Sequence, residues 1–292
     1  MSAIEQEIVS QPAVWRRAAA LARSGEAELP QPGARLAVVG CGTSLYMAQA
    51  YAVARESAGL GETDAFAASE APPARRYDAV LALSRSGTTT EVARALESIP
   101  AGIERYAVVG VADTPIASAT DHPIVLDFAD EESVVQTRFA TTALVLLLAH
   151  AGIDTEPAAA AAEQALTADL PVDPSDVEGF VFLGRGWTVG LANEASLKLR
   201  EAALAWAEAY PALEYRHGPI ALAGPRTLVW AIGDIELDLL DDVRATGATV
   251  VSNGQHPLAN LVLAQRVAVA LAKARSLDPD TPRNLTRSVV LR

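Results

Sequence analysis

Short apolar runs alternate with longer Ala-rich amphipathic stretches along this chain. RLAVVG (35–40) leads into SLYMAQAYAVARESAG (44–59) and AVLALS (79–84) into TTEVARALESI (89–99). RYAVVGVA and HPIVLDF follow, before an apolar helix near Thr141. Strand-like runs spaced by helical patterns predict a parallel sheet covered by helices on both faces. After DTEPAAAAAEQALTADLPVDPSDVEG (154–179) the pattern restarts. FVFLGRG enters a long helical pattern over Leu191–Tyr210, then come TLVWAIGD, GATVVSNG and a last helix, LANLVLAQRVAVALAKARSL. Both halves place Gly-x-Gly at a strand end before a helix, in AVVGCGTSLYMAQA and VFLGRGWTVGLANEA. The expectation is two similar doubly wound, three-layer α/β/α units at 1–152, with an N-terminal helix, and 179–292, joined by a linker at 153–178.

Two strand ends in the first half carry unusual chemistry: GCGTS (40–44) and SRSGTTTE (84–91). Ligands of doubly wound sheets sit where such ends meet helix N-termini, because free backbone N–H groups point there. Gly42 permits close approach, and Thr43, Ser44, Ser84, Ser86, Thr88 and Thr89 supply hydroxyls that rotate to donate to several phosphate oxygens. Taken singly, either segment reads equally well as helix caps and turns. A dinucleotide fingerprint is excluded, since Leu45 stands where its third Gly belongs. At the matching place the second half has WAIGD, without hydroxyls.

Half of the 292 residues are apolar, enough for a sizeable core, and the net charge of -13 argues against a nucleic-acid or anionic-membrane partner. The single Cys41 excludes an internal disulfide, and MSAIEQEIVSQPAVWRR has acids where a signal peptide needs a cationic flank. A cytoplasmic protein is expected. The run TTALVLLLAHAGI from Thr141 is too short to cross a bilayer and reads as a buried helix. His and acidic residues show no ligand-like spacing, so neither a metal nor a cofactor is expected.

The stretches CGTSLYMA, SRSGTTTE, SVVQTRFATT, LGRGWTVGLANEASLKLREAALAWAEAY, EYRHGPIAL and TPRNLTRSVVL together resemble the sugar isomerase (SIS) domain family. The likeness is greatest to the isomerase half of glutamine:fructose-6-phosphate aminotransferase and to free-standing aminosugar-phosphate deaminases and fructosamine-6-phosphate deglycases. It implies two SIS domains and a sugar phosphate as ligand. By motif, phosphate contacts fall on Ser44, Ser84, Arg85, Ser86 and Thr89, and sugar contacts on the segment Val134 to Thr137, with Gln136 where the synthase has Ser. Arg85 stands where the synthase has Gln and is expected to add charge beside the phosphate.

Glu194, Lys198 and Glu201, spaced four and three apart, share one helix stripe, with an apolar stripe of Ala195, Leu199, Ala202 and Trp206 beside it. Spacing alone favours a solvated Glu-Lys-Glu face. The resemblance instead implies that Glu201 moves a proton between C1 and C2, that Lys198 and Glu194 support it, and that His217 opens the sugar ring from a neighbouring subunit. A homodimer with shared sites is thereby implied. Two departures narrow the reading. No glutaminase region with its Cys nucleophile is seen. Arg287 replaces the tail Lys that forms an imine, and a guanidinium is a poor nucleophile; contact with a carboxylate, contact with phosphate, or capping of the fold are its remaining roles. The expected function is an isomerase/deaminase of an aminosugar or ketose 6-phosphate. Deglycase chemistry and a non-catalytic sugar-phosphate sensor are the alternatives.

Overall fold

The computed structural model describes residues 1–72 and 75–291; Arg292, the end of the expected second unit, lies outside them. In the first half the elements are α1 (Ala3–Ser24), β1 (Leu36–Gly40), α2 (Thr43–Ser57), β2 (Thr63–Ala67), β3 (Ala79–Ser84), α3 (Thr90–Glu97), β4 (Glu104–Val109), α4 (Pro115–Ser118), β5 (His122–Val125) and α5 (Arg138–His150). Then come α6 (Glu156–Thr167), β6 (Gly179–Gly184), α7 (Thr188–Ala203), β7 (Trp206–Pro211), β8 (Thr227–Ile232), α8 (Leu237–Ala245), β9 (Thr249–Val251) and α9 (Pro257–Ala274).

Two parallel sheets result, ordered β2-β1-β3-β4-β5 and β7-β6-β8-β9. In each, the first strand is central, the second lies outside it, and the chain then crosses to the other side. The winding therefore reverses between β1 and β3, and between β6 and β8, which are the crevices where such sheets take ligands. Strands buried on both faces read as continuous apolar runs, and all of LAVVG and AVLALS is buried. Alternate residues face opposite layers: Leu36, Val38, Leu81 and Leu83 enter one core, whereas Val39, Val80 and Ala82 meet Val92 and Leu96 of α3.

The two sheets are not separate sandwiches joined by a linker. Inner faces of both sheets share one core with α1, α2, α5, α6, α7 and α9 between them. The stretch expected as a linker holds α6, whose Ala158, Ala159, Ala162 and Ala165 are buried in that core. Alanine at these positions lets helices pack closely at little entropic cost, so the Ala-rich run is a packing element. The helix expected over Leu191–Tyr210 ends at Ala203, and β7 takes the rest. Trp206, expected on the core-facing stripe, is 72% exposed on β7. The run at Thr141 is the buried helix α5, as expected. By length and composition α9 could cross a membrane, but 72% of it is buried against the rest of the protein.

Candidate active site

The close crossing of α2 and α7 builds the charged part of the site. Gly190 on α7 makes it possible: a Cβ there would lie 2.8 Å from the Ala50 amide and would collide with the Tyr46 carbonyl. The crossing lays the first turn of α2 against the middle of α7. Lys198 then donates to Glu201 at 2.6 Å and to Thr43 Oγ1 at 3.1 Å, and pairs with Glu194 at 3.2 Å. Thr43 also donates to Glu194 at 3.3 Å. Glu194 and Lys198 are 1% exposed, while Glu201 retains 20% of its side-chain surface. The solvated Glu-Lys-Glu face is thus overturned: two members are buried, and only Glu201 meets solvent.

Burial controls the electrostatics. It pushes the Glu194 carboxyl up to about 7, Lys198 opposing the shift and Glu201 adding to it. One of its oxygens, Oε2, has no hydrogen-bond partner. Burial lowers the Lys198 pKa, but Glu194 and Glu201 outweigh that and hold its ammonium above the usual lysine range. Burial and the two carboxylates around one ammonium together bring Glu194's titration into the neutral pH range.

The hydroxyl-rich loops flank the β1/β3 crevice. Gly42 has φ +54°, a left-handed conformation favourable to glycine, and precedes the buried Thr43 and Ser44 at the start of α2. After β3, Ser84 Oγ accepts from the Gly87 amide at 3.2 Å. Gly87 also needs its lack of a side chain, since a Cβ would strike Thr114. Thr89 precedes α3 without spending its hydroxyl on a cap. Ser86 bonds Thr88 and also Ser288 of the C-terminal segment.

Arg85 does not offer its charge to this crevice. Its buried guanidinium donates to the carbonyls of Ser133 at 2.8 Å, Val134 at 3.2 Å and Arg287 at 2.7 Å, so it staples the segment that begins at Val134 to the tail. In that segment the Thr137 amide and hydroxyl donate to Glu131 at 2.6 and 2.8 Å. The Val134 amide donates to Asp280, and Gln136 keeps a buried oxygen without a partner. Arg287 forms a two-oxygen ion pair with Asp130 at 2.6 and 2.7 Å, which selects carboxylate contact among its open roles.

Sequence reasoning missed the acids that hold this segment. Glu7 of α1 accepts from the amides of Glu132 and Ser133 and from the Ser133 hydroxyl. Glu131, fully buried, accepts from Thr137 and Arg138. The Asp280 carboxylate caps the first amides of α1, at Ala3 and Ile4. The only available signal was the acidic run DEE at 130–132. His217 is not brought to the charged cluster. It is exposed between two short 3₁₀ turns, 212–216 and 219–222, and among the described residues no hydrogen bond ties its ring to Glu201.

A family model described as SIS domain matches residues 29–151. The match covers one SIS domain where the sequence had implied two, and the second parallel sheet lies outside it. The chain is 28% identical over 303 residues to a glutamine–fructose-6-phosphate aminotransferase of Sulfolobus acidocaldarius, covering 91% of this chain and 51% of the relative. It thus spans about half the length of the curated relatives it matches. A crystal structure of glucosamine-6-phosphate deaminase from Thermotoga maritima superposes with TM-score 0.86 at 27% identity, covering 99% of this chain and 100% of that one. Tagatose-6-phosphate ketose/aldose isomerase from Escherichia coli shares the fold, with TM-score 0.79, 20% identity and coverage of 98% and 97%. The chain thus carries a SIS domain at residues 29–151, and over its length it is similar to an aminotransferase and to a deaminase that act on sugar phosphates.

Proposed function

We propose that this protein converts a 2-amino-2-deoxyhexose 6-phosphate to the ketose 6-phosphate and ammonia. The observation that carries this reading is the buried Glu194–Lys198–Glu201 cluster, joined through Thr43 to the loop that precedes Ser44. Thr43, which bonds the charged cluster, is thereby the sequence neighbour of the expected phosphate contact Ser44. The end-to-end likeness to a solved glucosamine-6-phosphate deaminase supports the same choice.

In this reading Ser44, Ser84, Ser86 and Thr89 hold the phosphate. Glu201, the exposed member of the cluster, takes the proton from C2 of the open-chain sugar and returns one to C1. Lys198 stabilises the negative charge that develops on the sugar oxygen. The resulting C2 imine is hydrolysed by water, so ammonia leaves and a carbonyl forms at C2. No step needs a metal or an oxidant. His217 opens the ring as a group supplied by a second subunit, which its exposure away from its own Glu201 favours. The exposed Leu213 and Leu222, in the turns on either side of it, are apolar surface suited to such a contact.

Ammonia and ketose product should appear when the protein is given glucosamine 6-phosphate within a panel of hexose 6-phosphates. Glu201→Gln should lower turnover by ~10²–10⁴ with the fold unchanged. Release of an amine only from fructosamine 6-phosphates would move the assignment to a deglycase. Subunit sharing has its own test: inactive Glu201→Gln and His217→Ala proteins, mixed under verified exchange, should regain activity through hybrids with one intact site. No recovery would place the whole site in one chain.

A further inference from the structure

The C-terminal segment returns to the hydroxyl crevice and is clamped on both sides of one residue. Before that residue, Arg287 pairs with Asp130 through two oxygens, and Arg85 donates to the Arg287 carbonyl. After it, the Thr90 amide donates to the Val289 carbonyl at 3.2 Å, and the Leu291 amide to Thr90 Oγ1 at 2.9 Å. Ser288 lies between, with its hydroxyl 3.1 Å from that of Ser86 and 2.8 Å from that of Thr88. We propose that Ser288 is a substrate-binding residue, a phosphate-contacting hydroxyl that the tail delivers to the crevice and the Arg287–Asp130 pair keeps there.

Anchoring the tail does not require this hydroxyl, because the ion pair, Arg85 and the two bonds of Thr90 already fix the backbone on either side. The three hydroxyls instead form a closed group in which each oxygen has one proton to give. Thr88 stands within reach of both Ser86 and Ser288 but can donate to only one at a time. Such a group turns its protons outward at little cost when an acceptor with several lone pairs arrives, as a phosphate monoester is. The Thr90 amide, the first of α3, is already taken by Val289. Hydroxyls must therefore replace part of the backbone donation that a bare helix start would offer, and Ser288 adds one to Ser84, Ser86 and Thr89.

This proposal rests on the phosphosugar reading above, and calorimetry with glucosamine 6-phosphate and with inorganic phosphate separates the two. Ser288→Ala should weaken both ligands by ~10-fold, the typical worth of a hydrogen bond to a charged group. Ser288→Thr, which keeps the hydroxyl, should bind as the unaltered protein does. Asp130→Asn should weaken binding while Ser288 is intact, by freeing the tail. If the unaltered protein binds neither ligand, or Ser84→Ala binds as well as it does, the phosphosugar reading falls and this proposal with it. If Ser84→Ala weakens binding but Ser288→Ala leaves it unchanged or tighter, or Ser288→Thr is as weak as Ser288→Ala, Ser288 is no part of the cradle and the phosphosugar reading stands.

Discussion

A carboxyl group taken out of water must find a cation or keep its proton, and Glu194 does part of each. Burial raises its pKa to about 7, Lys198 only partly opposing this and Glu201 adding to it, and one of its own oxygens is unpaired. A carboxyl raised on folding stabilises the folded state below its unfolded value, near 4.5, and loses that contribution as pH climbs through 7. Glu194→Gln keeps the shape without the titration. Its stability relative to the unaltered protein should be level near pH 4 and rise by on the order of 3 kcal/mol by pH 8. Urea unfolding at several pH values measures this, and a difference independent of pH would contradict it. The residue types were legible beforehand, because Glu-Lys-Glu at spacings of four and three must share a stripe. Their burial was not, since a helix stripe of charges ordinarily faces solvent and only a second helix crossing over it reverses that.

At the scale of elements, that crossing depends on Gly190. Adding a methyl group there forces α2 and α7 apart at Tyr46 and Ala50, next along the same crossing from the turn that holds Thr43 against Lys198. Gly190→Ala should cost about 1–3 kcal/mol of stability as overpacking does. It should also lower turnover more than it weakens phosphate binding, because the hydroxyl loops lie at the far side of Thr43. Equal losses in both would show that the crossing does not set the acid/base geometry. The same helix shows where sequence legibility stops. ALAWAEAY continues a helical pattern without Gly or Pro, yet α7 ends because Leu204 adopts φ +52°, a left-handed conformation that residues of its type rarely take. Edge strand β7 is therefore invisible to periodicity, and with it the exposure of Trp206. The loops at Gly42 and Ser84 were readable because turn glycines and hydroxyls announce themselves locally.

Across the whole molecule, periodicity identifies which face of each element is apolar but not what covers it. The two windings were recognisable as repeats, while the shared helical layer, including the supposed linker at α6, was not. Glu7 and the Asp130–Arg287 pair were equally hidden, because each acid is distant in sequence from the group it holds. That layer brings a crevice of hydroxyls on the first sheet to a charged cluster on a helix of the second. The proposed function requires this junction to move a proton between C2 and C1 of an aminosugar phosphate. Incubating the protein with glucosamine 6-phosphate in deuterium oxide and following ammonia and the ketose product by NMR tests it most directly. Ammonia should be released with solvent deuterium appearing at C1 of fructose 6-phosphate, and neither event should occur with Glu201→Gln. Tight binding of the sugar with no ammonia and no deuterium at C1 or C2 would contradict it and leave a sugar-phosphate sensor.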